Sequence, residues 1–160
     1  MIIEVRTATA ADAHGIAVVH VTAWTEAYAH LVPADALARQ SIEQRELRWK
    51  ELIAAAAPTV LIAMDGDAIV GFATAGPARD AIPPRDLELT AIYLLASHYG
   101  SSAGQALLDA AIHEDPASLW VAEDNPRARA FYERNGFKPD GTSDLHNLAG
   151  TPVRAIRMVR

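Results

Sequence analysis

Residues 119–137 read LWVAEDNPRARAFYERNGF. Leu119–Ala122 is a short apolar run of strand type, and Asn125-Pro126 ends it. Pro126 fits the first position of a helix, where a missing N–H costs nothing. Ala128, Phe131 and Tyr132 then fall at i, i+3 and i+4, one apolar face of that helix. Gly136 supplies a left-handed stop before Phe137 begins the next strand. Strand, turn, helix, stop and strand therefore occupy nineteen residues, with an Asn at the strand's end and a Tyr on the helix's inner face. A core helix accounts for Phe131 by itself. It does not account for the hydroxyl kept next door on Tyr132.

Working back from this segment, Leu87–Leu95 reads as a strand whose composition suggests burial on both faces, and Ala103–His113 as a helix with Ala106, Leu107 and Ala110 along one side. With Ser118–Ala122 they make a strand–helix–strand crossover, whose two strands must be parallel. Between the first strand and the helix lies Tyr99-Gly100-Ser101-Ser102-Ala103-Gly104. Small residues at a helix start let backbone N–H groups approach an anion, so this stretch is either a plain turn or a phosphate cradle. On the strand, Glu88 is expected to share a face with Thr90, Ile92 and Leu94 by simple alternation. A carboxylate there needs solvent or a partner; an exposed strand end and a general base are both open readings.

The N-terminal half starts with a strand at Ile2–Arg6 and a helix opened by Thr9 and Asp12. Ile16, Val19, Ala23 and Ala27 form its core stripe, and Trp24 and Tyr28 share one side. Pro33 interrupts; helix resumes near Ala34 and restarts at Ser41 with Gln44 three residues on, burying Ile42, Trp49, Leu52 and Ile53. Thr59–Met64 and Ala68–Ala75 flank Asp65-Gly66, a hairpin signal. Pro77–Asp86 holds three prolines and reads as a surface loop that could border a site. The tail closes with a pair of strands, the last at Val153–Val159. Antiparallel strands first and one parallel crossover later give an α/β fold of the mixed α+β kind: a mostly antiparallel twisted sheet with one parallel pair and flanking helices.

Composition narrows the function. At 160 residues, 51% hydrophobic and 21% charged, the chain is expected to form one domain spanning 1–160. No apolar run reaches the roughly 18 residues of a membrane span, and the N-terminus lacks a signal pattern, so cytoplasm is the expected location. There is no cysteine, which removes disulfides, thiolate metal sites and a Cys nucleophile. His14, His20 and His30 lack the spacing of a helical metal pair, and no metal is expected. A net charge of −6 disfavours a general nucleic-acid binder.

The stretch ELTAIYLLASHYGSSAGQALLDAAI (88–112), followed by 119–137, resembles the GCN5-related N-acetyltransferase (GNAT) family. The resemblance implies a GNAT-like fold whose parallel strands, Leu87–Leu95 and Ser118–Ala122, splay apart to take the pantetheine arm of acetyl-CoA. It implies backbone contacts to that arm from Ile92, Tyr93 and Leu94. The pyrophosphate would lie on Tyr99, Gly100, Ser101, Ser102, Ala103 and Gly104, and Asn125 would touch the cofactor arm. Tyr132 would be the general acid and Glu88 the base. Trp24 and Tyr28 would border the acceptor pocket, although they also read as ordinary core aromatics.

Two residues depart from the family pattern. Tyr99 stands in place of Gln or Arg, and Ser102 in place of a central Gly. The latter is expected to cost about 1 kcal/mol if a positive φ is needed. The implied activity is direct acetyl transfer from acetyl-CoA to a primary amine, of a small molecule, with no acyl-enzyme. A CoA-binding regulatory module and a protein N-terminal or lysine acetyltransferase are the alternatives. Related domains often pair, so a homodimer is a further expectation.

Overall fold

The computed structural model describes residues 1–160. Seven strands form one sheet: β1 (Ile3–Thr7), β2 (Thr59–Asp65), β3 (Ala68–Pro77), β4 (Leu87–Leu94), β5 (Ser118–Ala122), β6 (Lys138–Leu148) and β7 (Thr151–Val159). Their order is β1-β2-β3-β4-β5-β7-β6, antiparallel throughout except for β4 with β5. The sequence alternation therefore yields the mixed sheet it implied. No helix is long and apolar enough to cross a membrane.

Helices cover both faces. On one, α1 (Ala13–Tyr28) and α3 (Ile42–Ala55) bury Ile16, Val19 and Trp49 against Val60, Ile62 and Phe72. The short α2 (Ala34–Ala38) follows Pro33 and joins Tyr28 over Ala122 and Val153. On the other face, α4 (Ala103–Ile112) and α5 (Pro126–Arg134) bury Leu107, Leu108 and Tyr132 against Leu61, Ala73, Leu119 and Val121. The caps are local and chemical. The Asp12 carboxylate accepts from the Thr9 N–H at 2.7 Å before α1, and Ser41 Oγ accepts from the Gln44 N–H at 3.1 Å. Gly136, at φ +87°, ends α5 in the left-handed region.

Three readings of the sequence need correction. The β2–β3 turn is Gly66-Asp67, because Asp65 itself pairs with Ala68. β4 is not buried on both faces: only Glu88 and Leu89 are, and its C-terminal half is partly open, because β5 has left its side. Simple alternation along β4 also fails. The β3 partners run Thr74↔Ala91 and then Ala75↔Leu89, leaving Thr90 as a bulge. Thr90 Oγ1 donates to the Thr74 carbonyl at 3.0 Å, which anchors the extra residue. Past the bulge the faces exchange. Leu89, Ile92 and Leu94 pack on the α4 side, whereas Ala91 and Tyr93 turn to the α1 side. Glu88, next to Leu89 and before the bulge, thus faces away from Ile92 and Leu94.

Candidate active site

β4 and β5 meet at a single pair, Glu88↔Ser118. Beyond it they separate, and β4 keeps a partner only on its β3 side, through Leu94. The β5-facing edge of Ala91–Leu94 is therefore a row of backbone groups without a strand partner. Such groups are costly to bury unsatisfied and are available to a ligand with amides of its own. The gap opens into a cleft of about 830 Å³ that has Ile92, Tyr93 and Leu94 on one wall and Val121, Ala122 and Asn125 on the other.

Toward α4 and α5 the cleft is lined by Tyr99, Gly100, Ser101 and Gly104. Gly100 takes the positive φ of this loop, +76°. Ser102 does not: at φ −74° and ψ −6° it is ordinary right-handed backbone, so the strain expected of it is absent. Ser101 Oγ donates to the His98 carbonyl at 2.6 Å and accepts from the Ala103 N–H at 3.2 Å, which fixes the turn. The first helical hydrogen bond runs from the Ala106 N–H to the Ser102 carbonyl, so the N–H groups of Gly104 and Gln105 remain free at the helix end. Ser102 and Ala103 stand behind this rim and do not line the cleft. The Arg127 guanidinium lies 3.3 Å from the ring centre of Tyr99, bringing a cation to the loop from α5.

Asn125 Oδ1 caps α5 by accepting from the Ala128 N–H at 3.3 Å, while the residue still lines the cleft. Farther along the helix, Tyr132 is 8% exposed, packed between Phe131 and Phe137, and its hydroxyl makes no hydrogen bond within the protein. Burial pushes this phenol well above its ordinary value, so it holds its proton at neutral pH.

The opposite side is built from α1, the β3–β4 loop and the β6–β7 hairpin. Tyr28 lines the cleft, and its hydroxyl lies 2.9 Å from that of Tyr93. Trp24 stands behind both, donating its indole N–H to Tyr93 Oη at 3.0 Å. Glu88 is 1% exposed and does not reach the cleft. Its carboxylate accepts from the Arg79 N–H at 3.0 Å and from Arg79 Nη2 at 2.7 Å. Arg79 is the cleft residue here, together with Trp120 and His146, whose rings are 4.8 Å apart. The Trp120 indole donates to Asp80 at 3.1 Å. No cluster of His, Cys, Asp and Glu able to hold a metal ion occurs.

The acetyltransferase (GNAT) family profile matches residues 23–137, from the end of α1 to the start of β6. This chain belongs to the GNAT acetyltransferase family. An uncharacterized N-acetyltransferase of Bacillus subtilis, YuaI, is 32% identical, with 96% of this chain and 90% of that protein aligned. A probable N-acetyltransferase of Mycobacterium tuberculosis is 27% identical over 94% of this chain and 89% of its own. In fold, the chain is similar to the PaiA N-acetyltransferase of Thermoplasma acidophilum in complex with coenzyme A, at TM-score 0.72 and 22% identity, covering 98% of both chains. It is also similar to YncA of Salmonella typhimurium with acetyl-CoA, at TM-score 0.73 and 16% identity, covering 100% of this chain and 94% of that one. As a GNAT acetyltransferase the chain is an acetyl-CoA-dependent N-acetyltransferase.

Within this GNAT acetyltransferase the cleft gathers ten sequence-predicted residues: Tyr28, Ile92, Tyr93, Leu94, Tyr99, Gly100, Ser101, Gly104, Asn125 and Tyr132. Trp24, Glu88, Ser102 and Ala103 stand outside it. Arg79, Trp120, His146 and Arg127 also line the cleft; Trp120 and Arg127 lie within the 119–137 motif, but nothing in its pattern assigns them a role. Arg79 does lie in the proline-rich loop expected to border a site, and Trp120 alternates with Leu119 and Val121. His146 carries no local signal, since its place depends on a hairpin folding back.

Proposed function

We propose that this acetyltransferase moves the acetyl group of acetyl-CoA directly to a primary amine of a small molecule. The observation that supports this most is the pairing of an unpartnered β4 edge with an unpartnered Tyr132 hydroxyl on the same cleft. The residues present fit the donor: Ala91–Leu94 offers free backbone groups to an amide-bearing arm, and Gly104, Gln105 and Arg127 offer N–H groups and a cation to a pyrophosphate. Arg127 supplies from α5 the positive charge that Tyr99 lacks.

When bound, acetyl-CoA brings an activated thioester and a thiol leaving group. Tyr132 holds a proton at its Oη, facing the cleft, and delivers it to that leaving group. Its raised affinity for the proton makes full transfer uphill, so the hydrogen bond must be short and well aligned. Free N–H groups of the β4 edge can stabilise charge developing on an adjacent oxygen. Attack needs a free amine, and an ammonium with a pKa of roughly 10 must first lose its proton. Glu88, engaged by Arg79 and closed off from the cleft, serves this reading as the anchor of Arg79, with solvent in the cleft mouth taking the amine's proton.

Tyr132→Phe tests the reading. Turnover is expected to fall by roughly two orders of magnitude, with acetyl-CoA affinity by titration calorimetry unchanged. Turnover at the level of the natural protein would remove Tyr132 from the mechanism.

A further inference from the structure

Arg79 is held in an arrangement the transfer of an acetyl group does not itself require. Its side chain is 67% exposed, while the carboxylate that grips it is 1% exposed. Glu88 takes the flank of the guanidinium, with Oε2 at 2.7 Å from Nη2 and Oε1 at 3.4 Å from Nε, plus the backbone N–H of Arg79 at 3.0 Å. A guanidinium has five N–H groups, and this grip uses the Nε side and one hydrogen of Nη2. The remaining end, formed by Nη1 and the second hydrogen of Nη2, has no partner in the fold. That end is a planar fork of the shape that receives a carboxylate through two parallel hydrogen bonds. Arg79 is thereby oriented from behind and open in front.

The neighbouring groups favour a singly charged anion beside an apolar body. Trp120 and His146 offer flat surfaces on the same cleft as Arg79, and the indole is tied to Asp80, the residue that follows Arg79. Asp80 and Asp140 are tied to Arg157, and all three are largely covered, with side chains 22%, 16% and 15% exposed. Arg79 is thus the exposed charge of the group, with carboxylates behind it. Either anion could take two charge-assisted hydrogen bonds from the fork, but Glu88 and Asp80 repel a dianionic phosphate about twice as strongly as a carboxylate, which favours the singly charged group. The Trp120 side of β5 lies opposite Leu119 and Val121, which pack under α4 and α5, so this floor is on the acceptor side.

We infer that the acceptor is an amine that carries a carboxylate, an amino acid or close analogue, with the carboxylate seated on the Nη1–Nη2 end of Arg79 and the side chain against Trp120 and His146. This rests on the direct-transfer reading above and narrows its substrate class.

The test compares matched amines. Phenylalanine, methionine and 6-aminohexanoate are each set against their primary amides with the natural protein and acetyl-CoA, by thiol release, at equal free-base amine. In at least one pair the acid is expected to exceed its amide by about tenfold or more in kcat/KM. Arg79→Met is expected to bring that ratio to about one, and Arg79→Lys, which keeps a charge and loses the fork, to an intermediate value. Amides equal to or better than acids in all three pairs would overturn the inference and leave acetyl transfer standing. No thiol release with any of the three acids would overturn the inference; release with other primary amines would then leave direct transfer standing, and none across a wider amine panel would overturn that reading as well. Because the panel uses the natural protein, its outcome does not depend on whether Arg79→Met folds.

Discussion

His20 sits on α1 with its ring 5.6 Å from Trp49, 5.1 Å from Phe72 and 5.7 Å from Tyr93. The Trp49 indole N–H lies 3.2 Å from Nδ1 and Arg45 Nη1 lies 3.0 Å from Nε2; both neighbours are donors, and the neutral ring accepts at the one nitrogen that carries no proton. Burial first, and the Arg45 charge second, hold this imidazole down to about 3. The unfolded chain binds a proton on His20 below about 6.5, whereas the folded protein refuses it until pH has fallen much further. The stability His20 contributes is therefore present above about pH 6.5 and is lost as pH falls toward the folded value. Between pH 6.5 and 5 the loss approaches about 1.4 kcal/mol per pH unit at most. His20→Gln keeps an acceptor for Trp49 and Arg45 and removes the titration. Urea unfolding at pH 7.5, 6 and 5 should show a shallower pH dependence in His20→Gln than in the natural protein; parallel curves would mean that His20 takes up a proton in the fold as readily as in the unfolded chain. Such a residue is hard to read from sequence. On α1 alone His20 is one polar point on a helix, and the rings that cover it come from α3, β3 and β4.

Among the elements, β4 shows which parts of the site a sequence carries. Strand, loop and helix boundaries from Leu87 to Gly136 follow from apolar runs, Pro126 and Gly136, and these put Asn125 at the end of β5 and Tyr132 on the inner face of α5; that both border a cleft is implied by the GNAT resemblance. The bulge at Thr90 does not follow. Nothing in ELTAIYL marks one residue as extra, because a bulge is a mismatch between two strands and the partner, β3, supplies half of it. Alternation alone puts Glu88 on the wrong face for that reason, and Arg79 escapes notice because its role depends on Glu88. The apolar composition of β4 likewise suggests burial, where the fold uses it to line a cleft. α5 is the opposite case, local from end to end, and it supports a local prediction. Asn125→Ala removes the side-chain acceptor for the Ala128 N–H and should cost about 1 kcal/mol in urea unfolding. Because α5 carries Arg127 and Tyr132, acetyl-CoA affinity should weaken in the same variant. Unchanged stability would show that Asn125 is not the cap that starts this helix.

Across the molecule, the sheet is two blocks, β1–β4 and β5–β7–β6, joined in the ladder by one residue pair. The closed end is reinforced by the β3–β4 loop: Asp80 accepts from Trp120 and Arg157, and Arg85 Nε donates to the Arg160 carbonyl at 2.8 Å. At the open end the two strands share no ladder bond, and the blocks meet through side chains such as Arg127 over Tyr99 and His30 against the Asp124 carbonyl, so the backbone groups of β4 there are the part of the sheet whose exchange with solvent a ligand can change. In the free protein, amides of Ala91–Leu94 that point toward β5, and those of Gly104 and Gln105, should exchange fast, while amides facing β3 exchange slowly. Saturating coenzyme A should slow exchange in 91–94 and 104–105 and leave the hairpin of β6 and β7, away from the donor side, nearly unchanged. Hydrogen–deuterium exchange with peptide readout measures this without any variant and without an acceptor. Protection confined to β6 and β7, or none at 91–94 under saturation, would mean that the donor does not lie in the gap. Tyr132 would then face an empty wall, and neither direct transfer nor the placement of a carboxylate on Arg79 would have a thioester to work with.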